Sequence, residues 1–145
     1  MAALRWFGAR EAPIELVERD GVRYLHAGGS AIQSAMRLAA PDRLELPYTR
    51  ALLGLLLFQP SPRALLLVGL GGGSIARFVH GHLDGTAVVA VERDARMPAV
   101  ARSQFGLPIE DDRLRVEVAD GYAHLRAHPG RYDSIVLDAF DNNEP

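Results

Sequence analysis

Residues 14–26 (IELVERDGVRYLH) alternate apolar and polar side chains on either side of Asp20-Gly21. An Asp-Gly pair between two such runs predicts a β-hairpin with a tight turn. Residues 30–38 (SAIQSAMRL) add a further strand to the same lead-in. The period then changes: residues 46–58 read as one helix, with Pro47 in its first turn and Pro60-Ser61-Pro62 as its stop. Beyond that stop, four strand-length runs follow: ALLLV (64–68), AVVAV (87–91), LRVEV (114–118) and SIVL (134–137). Helical stretches near 74–82, 95–105 and 122–127 separate them, the second closed by Gly106 and the third by Pro129-Gly130. Alternating strands and helices, with strand runs apolar on both faces, predict an α/β fold in which helices cover both faces of a parallel sheet. The chain divides near residue 45, into a β-hairpin and strand region over 1–45 and an α/β domain over 46–145.

Composition narrows the chemistry. All 16 basic residues are arginine, which excludes a lysine Schiff base and a phosphate-loop lysine. They are scattered among 18 acids for a formal net charge of −2, so no basic stripe is available to nucleic acid, and the arginines are expected on the solvated surface. The absence of cysteine excludes a thiolate nucleophile and a disulfide framework and fits a reducing compartment, with the cytoplasm the expected location. The N-terminal residues lack the apolar core of a signal peptide, and the run at 51–58 is too short to span a bilayer, so no membrane partner is expected.

In open α/β sheets ligands gather at the carboxyl ends of the strands. Those positions hold the glycine turn 69–73, then Glu92, Asp120 and Asp138. Gly69, Gly71 and Gly73 satisfy G-x-G-x-G and allow a sharp bend with close approach to a ligand, and the following helix start offers N–H groups to an anion or carboxylate. Ser74 stands where the dinucleotide fingerprint wants its third glycine, which favours a sulfonium nucleoside over a dinucleotide. Glu92 is placed to accept both hydroxyl protons of a ribose. Asp120 has two readings, a partner for an adenine amino group or the N-cap of the next helix. His124 and His128 lie four apart on one helix with no evident third ligand, so they are expected to be exposed helix-end histidines and no metal is assigned.

From about Gly21 onward the chain resembles the spermidine synthase family, the aminopropyltransferases. The resemblance rests on AIQS, LPYTRAL, LLLVGLGGGSIARFV, VVAVERD, VEVADGYAHL and YDSIVLDAFD, in the family's order. It implies a methyltransferase-type Rossmann sheet preceded by a small β domain. It also implies that Glu92 holds the ribose, Asp120 the adenine, and Gln33 helps fix the nucleoside. Asp138 would receive or orient the attacking amine, with Asp141 and Tyr48 beside it. The implied co-substrate is decarboxylated S-adenosylmethionine or S-adenosylmethionine, with no tightly bound cofactor, and the implied partner is a small-molecule amine. The chain departs from the family in three places. Gly72 stands where the family's loop has an aspartate, Thr49 and Arg50 replace a His-Glu pair, and DAFDNNEP lacks the family's serine and adjoining proline.

The sheet is expected to be cut short after its fourth strand, leaving an apolar edge at 134–137 for a C-terminal segment or a second chain, such as a homo-oligomer partner, to cover. The leading functional expectation is aminopropyl transfer to a polyamine, or the nucleoside-binding part of such an enzyme. The alternatives are an S-adenosylmethionine-dependent methyltransferase and a non-catalytic nucleoside-binding or interaction module.

Overall fold

A computed structural model describes residues 4–6 and 12–139. Its first unit is an antiparallel sheet in the order β1 (Leu4–Trp6), β2 (Ile14–Arg19), β3 (Val22–Ala27), β4 (Ser34–Arg37). Asp20 and Gly21 join β2 to β3 with φ of 54° and 73°, the pair of left-handed residues that a two-residue hairpin turn needs. β1, three residues long, gave no sequence signal. The strand expected over 30–38 shortens to Ser34–Arg37, because the preceding residues fold into a turn in which a His26 ring nitrogen lies 3.1 Å from the Ala31 carbonyl oxygen.

The helix expected over 46–58 is divided into α1 (Pro47–Leu52) and a 3₁₀ turn (Leu53–Leu57). Gly54 falls inside the 3₁₀ segment, where its low helix propensity favours the tighter turn. Leu53 remains buried against the second sheet.

That sheet is parallel, and its strands alternate with helices along the chain: β5 (Ala64–Val68), α2 (Ser74–His82), β6 (Ala87–Glu92), α3 (Met97–Phe105), β7 (Leu114–Val118), α4 (Gly121–Ala127), β8 (Ser134–Leu137). The spatial order is β7-β6-β5-β8. The chain winds outward from β5 to β7 and then returns to the far side of β5, which is the Rossmann-type reversal that opens a crevice beyond the β5 and β8 tips. α3 starts two residues later than the sequence predicts, because the Asp94 carboxylate accepts from the Arg96 backbone N–H at 2.9 Å and holds a turn there.

Alternation along the strands assigns the faces. Leu65, Leu67, Val88, Ala90, Leu114 and Val136 pack beneath α2, α3 and the 3₁₀ turn. Leu66, Val89 and Val91 pack on the other face against Leu125 of α4 and Tyr132. Leu65, Leu66 and Leu67 are almost wholly buried, each a gain of about 2 kcal/mol over an exposed side chain. The antiparallel sheet docks on α3, with Ile14, Leu25 and Met36 against Met97 and Phe105.

Arg77 departs from the expectation of a solvated charged surface, whereas β8 has the open apolar edge expected at 134–137 and leaves the α4 face of the sheet partly uncovered there. Arg77 of α2 is buried, and its guanidinium donates to the carbonyls of Phe105 and Pro41. Burial lowers its pKa, Asp42 opposes that effect, and the carbonyls supply the solvation that water would otherwise give. On β8, Val136 is buried, whereas Ile135 and Leu137, on the α4 face, are 47% and 64% exposed. Among the described residues β8 pairs only with β5, so this edge is open as well as apolar. No helix among the described residues is long and apolar enough to cross a membrane.

Candidate functional site

The glycine turn brings the β5 and β8 tips together. Gly69 has φ 94°, its N–H donates to the Val91 carbonyl at 2.8 Å, and a Cβ placed on it would lie 2.3 Å from the Asp138 carbonyl oxygen. Only glycine fits there. The next three glycines face protein atoms. A Cβ at Gly71 would meet Ser34 Oγ at 2.8 Å, and one at Gly73 would meet Leu107 at 2.9 Å. One at Gly72 would meet the Ser34 Cβ at 2.9 Å and the Phe105 ring at 3.0 Å. The close approach that the sequence suggests for a ligand is thus also a requirement of the protein's own packing.

Glu92 lies under this turn. Its Oε2 accepts from the backbone N–H of Leu70 at 2.9 Å and of Gly71 at 3.3 Å, and its Oε1 accepts from the Asp94 N–H at 2.9 Å. The Gly72 N–H donates to Ser34 Oγ at 2.8 Å, and the Gly73 N–H to the Leu70 carbonyl at 2.8 Å. All four amides of residues 70–73 are therefore engaged within the protein, so the turn does not present the N–H cluster that cradles a pyrophosphate. What it presents is a carboxylate held in place by three donors, two on Oε2 and one on Oε1, so that Oε1 keeps a lone pair for a further partner.

Asp120 caps α4, with its Oδ1 accepting from the Ala123 N–H at 2.9 Å. A Cβ on Gly121 would lie 2.4 Å from Val68 Cγ1, so this glycine lets the cap sit beside the β5 tip. Of the two readings of Asp120, capping is the one seen, and it occupies one carboxylate oxygen.

Asp138 ends β8 half-buried, and its Oδ1 is buried without a hydrogen-bond partner. Burial pushes its pKa up to about 7; a hydrogen bond from Tyr48 opposes that rise and the Glu92 charge adds to it. The Tyr48 hydroxyl is itself shifted upward, chiefly by burial and then by the Asp138 charge, and it lies 3.1 Å from the Gln33 carbonyl, so its single proton is shared between that carbonyl and Asp138. The Gln33 side chain donates to the Ala27 carbonyl at 3.3 Å. Gly69, Glu92, Asp138, Tyr48 and the Gln33 backbone thus form one cluster at the carboxyl ends of the parallel strands, with Asp120 on the neighbouring tip. Asp141 lies outside the described residues.

The sequence and structure have known counterparts. A family model for the spermine/spermidine synthase domain matches residues 45–145. The chain belongs to this family. A polyamine aminopropyltransferase from Chromobacterium violaceum is 41% identical over 128 residues, which is 88% of this chain and 49% of that protein. Human methyltransferase-like protein 13, solved in complex with SAH, is 34% identical with a TM-score of 0.58, over 68% of this chain and 50% of that one. A spermidine synthase solved with the transition state analogue AdoDATO has the same fold at 22% identity, with a TM-score of 0.75 over 99% of this chain and 47% of that one. The chain spans about half the length of the curated relatives it matches.

Within this spermine/spermidine synthase family member, four residues outside the cluster bear on the sequence reading. Thr49 and Arg50 do not reach it, since Thr49 Oγ1 donates to the Leu46 carbonyl at 2.7 Å and Arg50 to the Leu44 carbonyl at 3.0 Å. His124 is buried rather than exposed. Its ring nitrogens lie 3.0 Å from Glu117 Oε2 and 2.7 Å from the Tyr132 hydroxyl, and His128 is half-buried beside it. The pull of those two partners outweighs the helix-end position from which exposure was inferred. Sequence reasoning missed Ser34, which looks like any small strand residue until β4 is folded against the glycine turn.

Proposed function

We propose that this chain binds an S-adenosyl nucleoside at the β5–β8 tips and moves an aminopropyl group from decarboxylated S-adenosylmethionine to a polyamine. The observation that carries this reading is Asp138, a half-buried carboxyl with an unpartnered buried oxygen and a pKa of about 7, aligned by Tyr48. A carboxyl so tuned accepts a proton near neutral pH, which is what an amine nucleophile must give up. The amine nitrogen attacks the carbon beside the sulfonium, and the C–S bond breaks with its electron pair passing to sulfur. Methylthioadenosine leaves, and the new ammonium passes its proton to Asp138. Glu92 accepts one ribose hydroxyl proton on the lone pair left open at Oε1 and the other at Oε2 in place of the longer bond from Gly71. Asp120 Oδ2 takes the adenine amino group, Gln33 supports the nucleoside from the first sheet, and Asp141 joins Asp138 in holding the cationic amine. The family assignment and the aminopropyltransferase names of the relatives support the same reading.

The test is methylthioadenosine release from decarboxylated S-adenosylmethionine and a diamine, with Asp138→Asn beside the wild type. Loss of the base lowers kcat by about a hundredfold or more while nucleoside affinity is kept. Unchanged turnover in the variant would contradict the assignment.

One observation favours a second reading, methyl transfer from intact S-adenosylmethionine. Position 72 points into the packing between Ser34 and Phe105, so the glycine turn carries no acid for an aminopropyl ammonium. Tighter binding of S-adenosylmethionine than of its decarboxylated form, with no aminopropyl transfer, would favour this alternative.

A further inference from the structure

We propose that Ser34 is a positioning residue for nucleoside binding. It latches the glycine turn from the antiparallel sheet, and the affinity of the parallel sheet's site depends on it. This rests on the reading that Glu92 receives the nucleoside.

The turn has intrinsic freedom to lose. Gly69, Gly71 and Gly73 all have positive φ, and a glycine-rich segment populates many alternatives unless it is held. Two side chains hold it. Glu92 binds the amides of Leu70 and Gly71, and Ser34 binds the amide of Gly72 from a strand 38 residues earlier. Ser34 is only 6% exposed, so no water stands ready to replace its oxygen. The fit is also steric, because Gly71 would clash with Ser34 Oγ and Gly72 with Ser34 Cβ if either carried a side chain. A peg and a hydrogen bond thus act on adjacent residues. If the Gly72 bond is lost, the turn can relax away from β4, and Glu92 then loses two of the three donors that aim it. A carboxylate free to rotate no longer offers a fixed acceptor to a ribose.

The same short segment anchors the other half of the cluster. The carbonyl of Gln33, one residue before Ser34, meets the hydroxyl of Tyr48, which hydrogen-bonds Asp138. The start of β4 therefore registers the nucleoside carboxylate through Ser34 and the proton acceptor through Gln33.

The test is calorimetric titration of the full chain with methylthioadenosine, comparing wild type, Ser34→Ala, Ser34→Cys and Thr86→Val. Cysteine keeps the side-chain shape with a somewhat larger atom that accepts a hydrogen bond weakly and leaves no cavity, so it covers the case in which alanine impairs folding. Thr86→Val removes a buried hydrogen bond of 2.6 Å to the Pro62 carbonyl at the opposite end of the strands, and controls for general destabilisation. Both Ser34 variants are expected to bind about tenfold more weakly, with faster hydrogen exchange at the Leu70, Gly71 and Gly72 amides. Thr86→Val is expected to stay within about twofold of wild type. Wild-type binding with unchanged affinity in both Ser34 variants overturns the latch and leaves the nucleoside reading standing, as does an equal loss in Thr86→Val. A wild type that does not bind methylthioadenosine overturns that reading and the latch together.

Discussion

Asp138→Asn should stabilise the fold at neutral and alkaline pH, although it removes the proposed base. The Asp138 carboxyl is raised from 3.8 to about 7 by burial, with the Glu92 charge adding and the Tyr48 hydrogen bond subtracting. A raised carboxyl pKa means that the folded state holds its proton after the unfolded chain has released it. Between about pH 4 and pH 7 each step up in pH therefore favours the unfolded state, and above pH 7 the cost is complete. A rise of that size is worth about 4 kcal/mol for a wholly dry group, at ~1.4 kcal/mol per pH unit. Asp138 is only partly buried, and screening reduces the expected penalty to about 2 kcal/mol. Asparagine has the same shape and does not titrate. Urea unfolding followed by far-UV circular dichroism should show the variant gaining about 2 kcal/mol on the wild type between about pH 4 and pH 8, with most of the change between pH 5 and pH 7. A pH-independent difference, or a wild type that gains on the variant as pH rises, would refute the burial argument.

The pH profile of kcat/KM should rise through a midpoint near 7 as Asp138 loses its proton. Tyr48→Phe should move that midpoint upward, because the Tyr48 hydrogen bond is what lowers the Asp138 pKa; a downward shift would reverse the assigned polarity. Gly69→Ala should destabilise by about 3 kcal/mol or more, since it adds a Cβ 2.3 Å from the Asp138 carbonyl oxygen at φ 94°. Thermal unfolding reads that loss, and an unshifted Tm would mean that the β5 and β8 tips are not in contact.

Several elements were legible because their signals are local. The Asp20-Gly21 turn announces itself through two residues that tolerate positive φ, and the four parallel strands through short runs between turn residues. Alternation of those runs with helical periods was enough to set the sheet type and to place Glu92, Asp120 and Asp138 at strand ends. The 3₁₀ turn at Leu53–Leu57 was not legible, because a helix and a tighter turn share the same apolar pattern over so few residues. The short β1 is paired through β2 and carries no distinguishing period of its own.

The sequence alone determined which backbone periods are possible and which carboxylates end strands, since side-chain spacing and turn dihedrals depend on neighbours a few residues away. Tertiary structure decided the chemistry of those groups. Burial beside Tyr48 raises Asp138, Arg77 is solvated by the carbonyls of Phe105 and Pro41, His124 is enclosed between Glu117 and Tyr132, and Ser34 closes on Gly72. Each depends on desolvation or on a hydrogen-bond partner that is distant in the chain or set by packing, and those energies arise only when the elements pack.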